Sequence, residues 1–302
     1  MQFQQTINKI AHCAGIGVHS GLKSRLTLKP AKAGEGIVFI RTDVTDRDNR
    51  VPAIGDAVSD VMLGTTLENE AGVKVAVVEH LLAACAGMGV DNLIIEMDAE
   101  ETPIMDGSAS VFCELIRAAG LRTLGASRRR IRILETIEIE DGVKWARLSP
   151  SNDDWLTIRA RIDFESRAIG VQQMALRLSP GMFARDLAFA RTFGFARDVE
   201  KLQSMGLARG GSLDNAVVLD GDDIVNPEGL RSGDEFIRHK ILDAVGDLML
   251  AGAPIAGAYD ANQPGHALNN MLVRKLLENP QAWCWETDSV DAEAGTMQVA
   301  IA

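Results

Sequence analysis

Val75-Ala-Val-Val-Glu-His80-Leu-Leu-Ala-Ala-Cys85-Ala-Gly-Met-Gly-Val90-Asp-Asn-Leu-Ile-Ile-Glu-Met97 carries both alphabets of the fold in one stretch. Residues 75–86 predict a helix that stops at Gly87, and residues 92–97 predict a strand, so helix and strand alternate over a short distance. Working back toward the N-terminus, residues 24–29 alternate around Leu26 and Leu28, and residues 36–41 form the apolar run Ile37, Val38, Phe39, Ile40; both predict strands. Working forward, Phe112, Leu115, Ile116 and Ala119 fall at i, i+3, i+4 and i+7, which predicts a helix over 110–119 closed by Gly120.

The composition changes abruptly over residues 121–132, after which Ile131, Ile133, Ile137 and Ile139 resume strand-like alternation. A domain boundary is expected near Ala126, giving an N-terminal domain of residues 1–126 and a C-terminal domain of residues 127–302. The run Arg128 to Arg130 is either a basic patch for an anionic partner or a solvated linker and strand edge shielded by charge; the second reading is adopted. Beyond it, strands are expected at 144–148 and 155–164 and helices at 234–250 and 267–278. Each half therefore reads as one layer of strands and one of helices, an α+β pattern. No repeat is visible in the sequence beyond that parallel.

The chain has 302 residues, 46% hydrophobic and 24% charged, enough for two cored domains. Its net charge of −11 argues against a general nucleic-acid binder. The four cysteines, at 13, 85, 113 and 284, lie far apart with no C-x-x-C pair, which suggests free thiols in a reducing compartment. With no signal-peptide pattern after Met1 and no long apolar run, a cytoplasmic protein without stable membrane insertion is expected.

Five histidines, at 12, 19, 80, 239 and 266, bound the chemistry. On the predicted helix from Asp234, Ile237, Ile241, Val245 and Leu248 share one side and His239, Asp243 and Asp247 another. The bland account is a wet polar face. Against it, Asp243 and Asp247 are like charges at i, i+4, unfavourable unless a cation or proton is held nearby, and His239 with Asp243 has the spacing of a metal bite. Glu79 and His80 interrupt the apolar run 76–86 and are either a surface pair reaching water or a base and a ligand. The H-E-x-x-H motif is absent. His266 either acts on substrate or occupies a turn.

With those residues identified, the chain closely resembles the UDP-3-O-acyl-N-acetylglucosamine deacetylases, zinc hydrolases of lipid A synthesis. The blocks carrying the resemblance span almost the whole chain: Gly15-Ile-Gly-Val-His19-Ser-Gly21, Thr65-Thr66-Leu67, Val77-Val-Glu79-His80-Leu-Leu, Pro103-Ile-Met-Asp106-Gly107-Ser108, Ala190-Arg-Thr192-Phe193-Gly194-Phe195, Arg209-Gly-Gly-Ser212, Arg238-His239-Lys240-Ile-Leu-Asp243-Ala-Val-Gly-Asp247 and Gly265-His266-Ala-Leu-Asn-Asn270.

The resemblance implies two similar two-layer α+β sandwich domains with the active site between them, and hydrolysis of the N-acetyl group of UDP-3-O-(3-hydroxyacyl)-N-acetylglucosamine. His80, His239 and Asp243 would ligate zinc, with iron(II) fitting the same donors. Glu79 would be the general base, Thr192 and His266 the oxyanion donors, and cationic His266 the acid for the departing amine. A place at a helix N-terminus disfavours that cation, so a carboxylate is needed, and the family pattern offers Asp247. Lys240 would meet the anionic or polar part of the UDP-sugar, with Phe193 and Leu63 packing near the substrate. The segment 195–218, including Val199, Leu202, Leu207, Leu213 and Val217, would form the acyl passage.

His12 and His19 are read as structural, and Asp106 as the organiser of a turn and helix start. One departure stands out: many members have cysteine where this chain has Gly64. Two other classes, a non-catalytic acyl-sugar or acyl-carrier interaction protein and a nucleic-acid binder through residues 128–132, are opposed by the intact catalytic set and by the acidic charge. The expected partner is the small acylated UDP-sugar, whose acyl chain invites peripheral membrane contact.

Overall fold

The computed structural model describes residues 3–179 and 181–287. Strands β1 (Phe3–Ile7), β2 (Ala11–Ile16), β3 (Lys23–Pro30), β4 (Ile37–Arg41) and β5 (Arg50–Pro52) precede three short ones, β6 (Val58–Asp60), β7 (Thr66–Glu68) and β8 (Lys74–Val75). Helix α1 (Glu79–Met88), β9 (Leu93–Met97), α2 (Ser110–Ala119) and β10 (Leu121–Ser127) follow. The chain continues through β11 (Arg129–Ile133), β12 (Ile137–Asp141), β13 (Lys144–Ser149), β14 (Thr157–Asp163) and β15 (Val171–Arg177). Next come α3 (Met182–Asp186), β16 (Phe193–Phe195), α4 (Ala196–Ser204), β17 (Val217–Asp220) and β18 (Asp223–Ile224). Helix α5 (Glu235–Leu248), β19 (Ile255–Ala256), β20 (Ala258–Asn262), α6 (His266–Glu278) and β21 (Trp283–Thr287) complete it.

Two five-stranded sheets organise the molecule, ordered β2-β3-β9-β4-β5 and β12-β13-β20-β14-β15. Each is antiparallel except for one pair, β4 with β9 and β14 with β20. In each, four strands of the sheet are laid down first, then, after an intervening segment (β6 to β8 in one, α3 to β18 in the other), a helix, the central strand and a second helix. The α+β architecture is thus a structural repeat that the sequence conceals. Period-two burial explains the strands: β3 encloses Leu26 and Leu28, and β14 encloses Ile158, Ala160 and Ile162. Helix α1 packs on α2, while α5 packs on β14 and β15, and α1 and α5 pack on each other. At their crossing a Cβ on Gly246 would stand 2.1 Å from the carbonyl oxygen of Glu79, so only glycine lets the helices approach this closely.

Three expectations are corrected. The predicted helix over 75–86 begins four residues later, at Glu79. The β-branched run at 75–78 favours extended backbone. Val75 ends β8, Ala76 bridges to Glu101, and Val77 sits at φ 58°. Gly87 is not the stop; it lies inside α1, where a Cβ would collide with the Phe183 ring, and Gly89 at φ 76° ends the helix. The run Arg128 to Arg130 is not a linker and strand edge either, because it leads into β11, which pairs on both sides, with β19 and β21, while residues 121–127 form β10 on β1. Among the described residues, no helix is long and apolar enough to cross a membrane.

Candidate active site

The first turn of α1 and the middle of α5 face each other across the seam between the halves. The stripe His239, Asp243, Asp247 is not a wet face: these side chains are only 2 to 3% exposed, as are Glu79 at 3% and His80 at 4%. Five ionisable groups in one dry seam require partners or a cation.

His80, His239 and Asp243 converge so that one donor atom from each lies within 4.8 Å of the others. Asp243 Oδ1 stands 3.3 Å from His239 Nε2 and 3.6 Å from His80 Nε2. His239 Nδ1 donates to the Ala190 carbonyl at 3.0 Å, a partner that can only accept, which leaves Nε2 with its lone pair turned toward the cluster. Burial pushes the His239 imidazolium down to about 3, against the pull of Asp243, so the ring is neutral at ordinary pH. Burial alone would raise Asp243, but neighbouring groups, the Lys240 ammonium among them, outweigh it and hold the carboxyl well below its usual range. Its Oδ2 accepts from Lys240 Nζ at 2.7 Å, while Oδ1 is buried with no hydrogen-bond partner among the described residues. Two imidazole rings and an unpartnered carboxylate oxygen aimed at one point form a donor set that fits a divalent ion.

Glu79 lies beside this cluster. Its Oε2 accepts the Thr65 backbone N–H at 2.9 Å, leaving Oε1 toward His266 Nε2 at 3.8 Å. Burial pushes the carboxyl up, opposed by His266 and His80. His266 is the first residue of α6, and its Nδ1–H donates to Asp247 Oδ2 at 2.9 Å. Burial works against the imidazolium, yet Asp247 and Glu79 prevail and hold its pKa up at about 10. The carboxylate demanded by the helix N-terminus is present.

Asp247 is itself held from three sides. Besides His266 it accepts from Asn269 Nδ2 at 2.8 Å on Oδ2 and from the Thr65 hydroxyl at 2.7 Å on Oδ1, and Tyr259 donates to Asn269 Oδ1 at 2.6 Å. Thr65 therefore touches both carboxylates, Glu79 through its backbone and Asp247 through its side chain. Sequence reasoning assigned no role to Thr65, Asn269 or Tyr259, although the only tyrosine of the chain, if buried, needed a hydroxyl partner. It also missed Arg191 and Glu235, both buried. Arg191 donates from its backbone and Nε to Glu235 Oε1 at 3.0 and 2.9 Å, clamping the backbone between Ala190 and Thr192.

The other expected residues sort clearly. Thr192 donates its N–H to the Gly107 carbonyl at 2.8 Å, and Asp106 Oδ1 receives the Ser108 hydroxyl and N–H, forming the expected turn. The Phe193 ring meets His239 at 6.2 Å and lies under Lys240 Nζ at 5.7 Å. Leu63 is half exposed at φ 59°. His19 does more than finish a loop, since its Nε2 faces the Leu63 carbonyl at 3.1 Å and its Nδ1 the Ala208 N–H at 3.4 Å, joining the Leu63 loop to the segment after α4. Val199 is half-buried on α4 and Leu213 is 37% exposed, whereas Val217 is fully enclosed in the core and cannot face an open passage. Gly64 stands against Glu79: a Cβ there would lie 3.1 Å from its Oε1.

The family model described as UDP-3-O-acyl N-acetylglycosamine deacetylase matches residues 4–278. A protein of Phenylobacterium zucineum (strain HLK1) named UDP-3-O-acyl-N-acetylglucosamine deacetylase is 50% identical over 293 residues, 97% of this chain and 99% of that protein. Proteins of the same name from Myxococcus xanthus (strain DK1622) and Pasteurella multocida (strain Pm70) are 50% and 49% identical, covering 94% and 93% of this chain and 88% and 92% of their own.

Proposed function

From the premise that this chain belongs to the UDP-3-O-acyl N-acetylglycosamine deacetylase family, we propose how its residues divide the work. The chain is an amide hydrolase that deacetylates UDP-3-O-acyl-N-acetylglucosamine in lipid A biosynthesis. The proposal concerns the metal, the roles of the residues, and the halves 1–126 and 127–302 as the domains that supply them.

His80, His239 and Asp243 would hold the metal, zinc in our reading, with iron(II) able to use the same donors. When bound, such an ion supplies Lewis-acid polarisation of the acetyl carbonyl and makes water acidic enough to attack near neutral pH. Glu79 accepts the proton of the attacking water through Oε1, its other oxygen being occupied by the Thr65 N–H. The Thr192 hydroxyl and His266 Nε2 steady the negative oxygen that develops on the former carbonyl. His266 then protonates the leaving amine, and Asp247 keeps its Nδ1 protonated and its ring oriented. Lys240, Phe193 and Leu63 border the sugar, while Val199 and Leu213 border the acyl chain. A nucleotide-activated sugar as substrate is consistent with a cytoplasmic site of action, and acetate and the free amine are the products.

The observation that carries this reading is the unpartnered Asp243 Oδ1 buried between two imidazole nitrogens, with Glu79 and His266 alongside. Chelation of the purified protein should abolish release of acetate from UDP-3-O-acyl-N-acetylglucosamine, and zinc should restore it. Retention of full activity after verified metal removal would refute the reading.

A further inference from the structure

Away from the catalytic seam, a cavity of about 810 Å³ opens between the C-terminal ends of α1 and α5. That volume lies in the range of small-molecule sites. Ala86 to Gly89 of α1 form one wall, and α1 rises about 13 Å from Glu79 to Met88, so the cavity and the catalytic groups occupy opposite ends of that helix. Its floor is apolar and buried: Leu156, Val245, Leu248, Met249 and Ile255.

The lining is unusual in charge. Five arginines, at 117, 128, 129, 130 and 185, line the cavity with a single acid, Asp154, in a chain whose net charge is −11. Three of them have carboxylate partners, Arg128 with Asp91, Arg130 with Glu286 and Arg185 with Asp186. Arg117, exposed in the last turn of α2, has no ion pair among the described residues, and Arg129 rests its guanidinium 4.6 Å above the Trp285 ring without a carboxylate partner among them. Guanidinium groups in this state favour carboxylate and phosphate oxygens.

We propose that this cavity binds a single-chain amphipathic anion, its alkyl tail on the floor and its carboxylate or phosphate head at Arg117 and Arg129. A small inorganic anion would leave the floor empty, and a neutral lipid would leave the cations unanswered. The run Arg128 to Arg130, which reads as a shielded edge in the sequence, thereby becomes part of a site.

Calorimetric titration of the metal-loaded enzyme, below micelle formation, tests this with sodium laurate, dodecyl phosphate and dodecyltrimethylammonium. Because the substrate's own acyl chain has a place in the enzyme, each titration is repeated with saturating deacetylated product. The expected result is one equivalent of either anion bound, unaffected by product, with the cation not binding. The double variant Arg117→Glu/Arg129→Glu should weaken binding at least tenfold. Ala184→Trp, which fills the cavity from α3, should do likewise, and both should deacetylate at the wild-type rate. Wild-type affinity in both variants, displacement by product, or equal binding of the cationic amphiphile would overturn the proposal.

Discussion

The two halves share a topology and do not share a job. Helix α1 and helix α5 occupy the same place in their respective repeats, between the fourth strand laid down and the central strand. Yet α1 brings Glu79 and His80 to the candidate site from its first turn, whereas α5 brings His239, Asp243 and Asp247 from its interior. The partner helices differ more. Helix α6 begins with His266 beside Glu79 and Asp247, while α2 begins with Ser110, which forms no bond to any of these groups among the described residues. A duplicated frame supplies two surfaces that pack on each other, and the cluster of buried ionisable groups forms where they meet. Among the described residues, neither half alone assembles the His80, His239, Asp243 cluster.

The largest effect should come from breaking that joint. His239→Ala on the second half and His80→Ala on the first should each reduce turnover to background with loss of bound metal, measured by metal analysis beside the deacetylation rate. If either half's ligand proved dispensable, the two surfaces would not be equal holders of the ion.

The proposed acid, His266, sharpens the comparison, since it belongs to the second half alone. His266→Ala should lower kcat by about 10²-fold or more. In the wild type, activity should fall on the alkaline side as His266 loses its proton near 10, and Asp247→Asn should move that limb to lower pH. Linkage to stability has the same sign. The folded pKa is above the unfolded value near 6.5, so the ion pair's contribution is present below that value and lost as pH rises toward 10. A pH–rate profile of the variant superimposable on the wild type would separate Asp247 from the acid.

Thr65 tests the crossing between halves directly. It belongs to the first half and hydrogen-bonds the Asp247 of the second across 182 residues of sequence. Thr65→Val keeps the backbone bond to Glu79 and removes the hydroxyl, leaving Asp247 with one partner fewer. A loss of about tenfold in kcat with little change in KM is expected, the size of a charge-assisted hydrogen bond of about 1.5 kcal/mol. The smallest effect belongs to Gly64→Ala, whose methyl must displace Glu79 Oε1 by a few tenths of an ångström. A few-fold fall in kcat is expected, and an unchanged rate would show that the carboxylate has room to move.

Much of this was legible beforehand for identifiable reasons. The 3.6-residue period marked α2, α5 and α6 because each has a buried apolar stripe, and Gly120 marked the end of α2. His239 and Asp243 were visible as a spacing, but not their burial, because α1 comes to cover that face from more than 150 positions earlier in the chain. The start of α1 was hidden by Val75 to Val78, apolar residues that satisfy a helical count although Val75 ends a strand, Ala76 bridges to Glu101 and Val77 turns the chain through a positive φ just before the helix. The repeat was hidden because two sheets can meet the same alternation with unrelated residues. Thr65, Asn269 and the Arg191–Glu235 clamp were missed because their partners are set by tertiary packing, which no local pattern encodes.

The most direct test of the division of labour is Glu79→Gln, with metal content and kcat determined on one sample. The variant keeps the shape of the side chain and all three metal donors. It should retain about one metal ion per chain and lose about 10³-fold in kcat, within the range for removal of a general base. Near-wild-type turnover with the metal in place would contradict the assignment of the base, and loss of the metal would contradict its separation from the ligands.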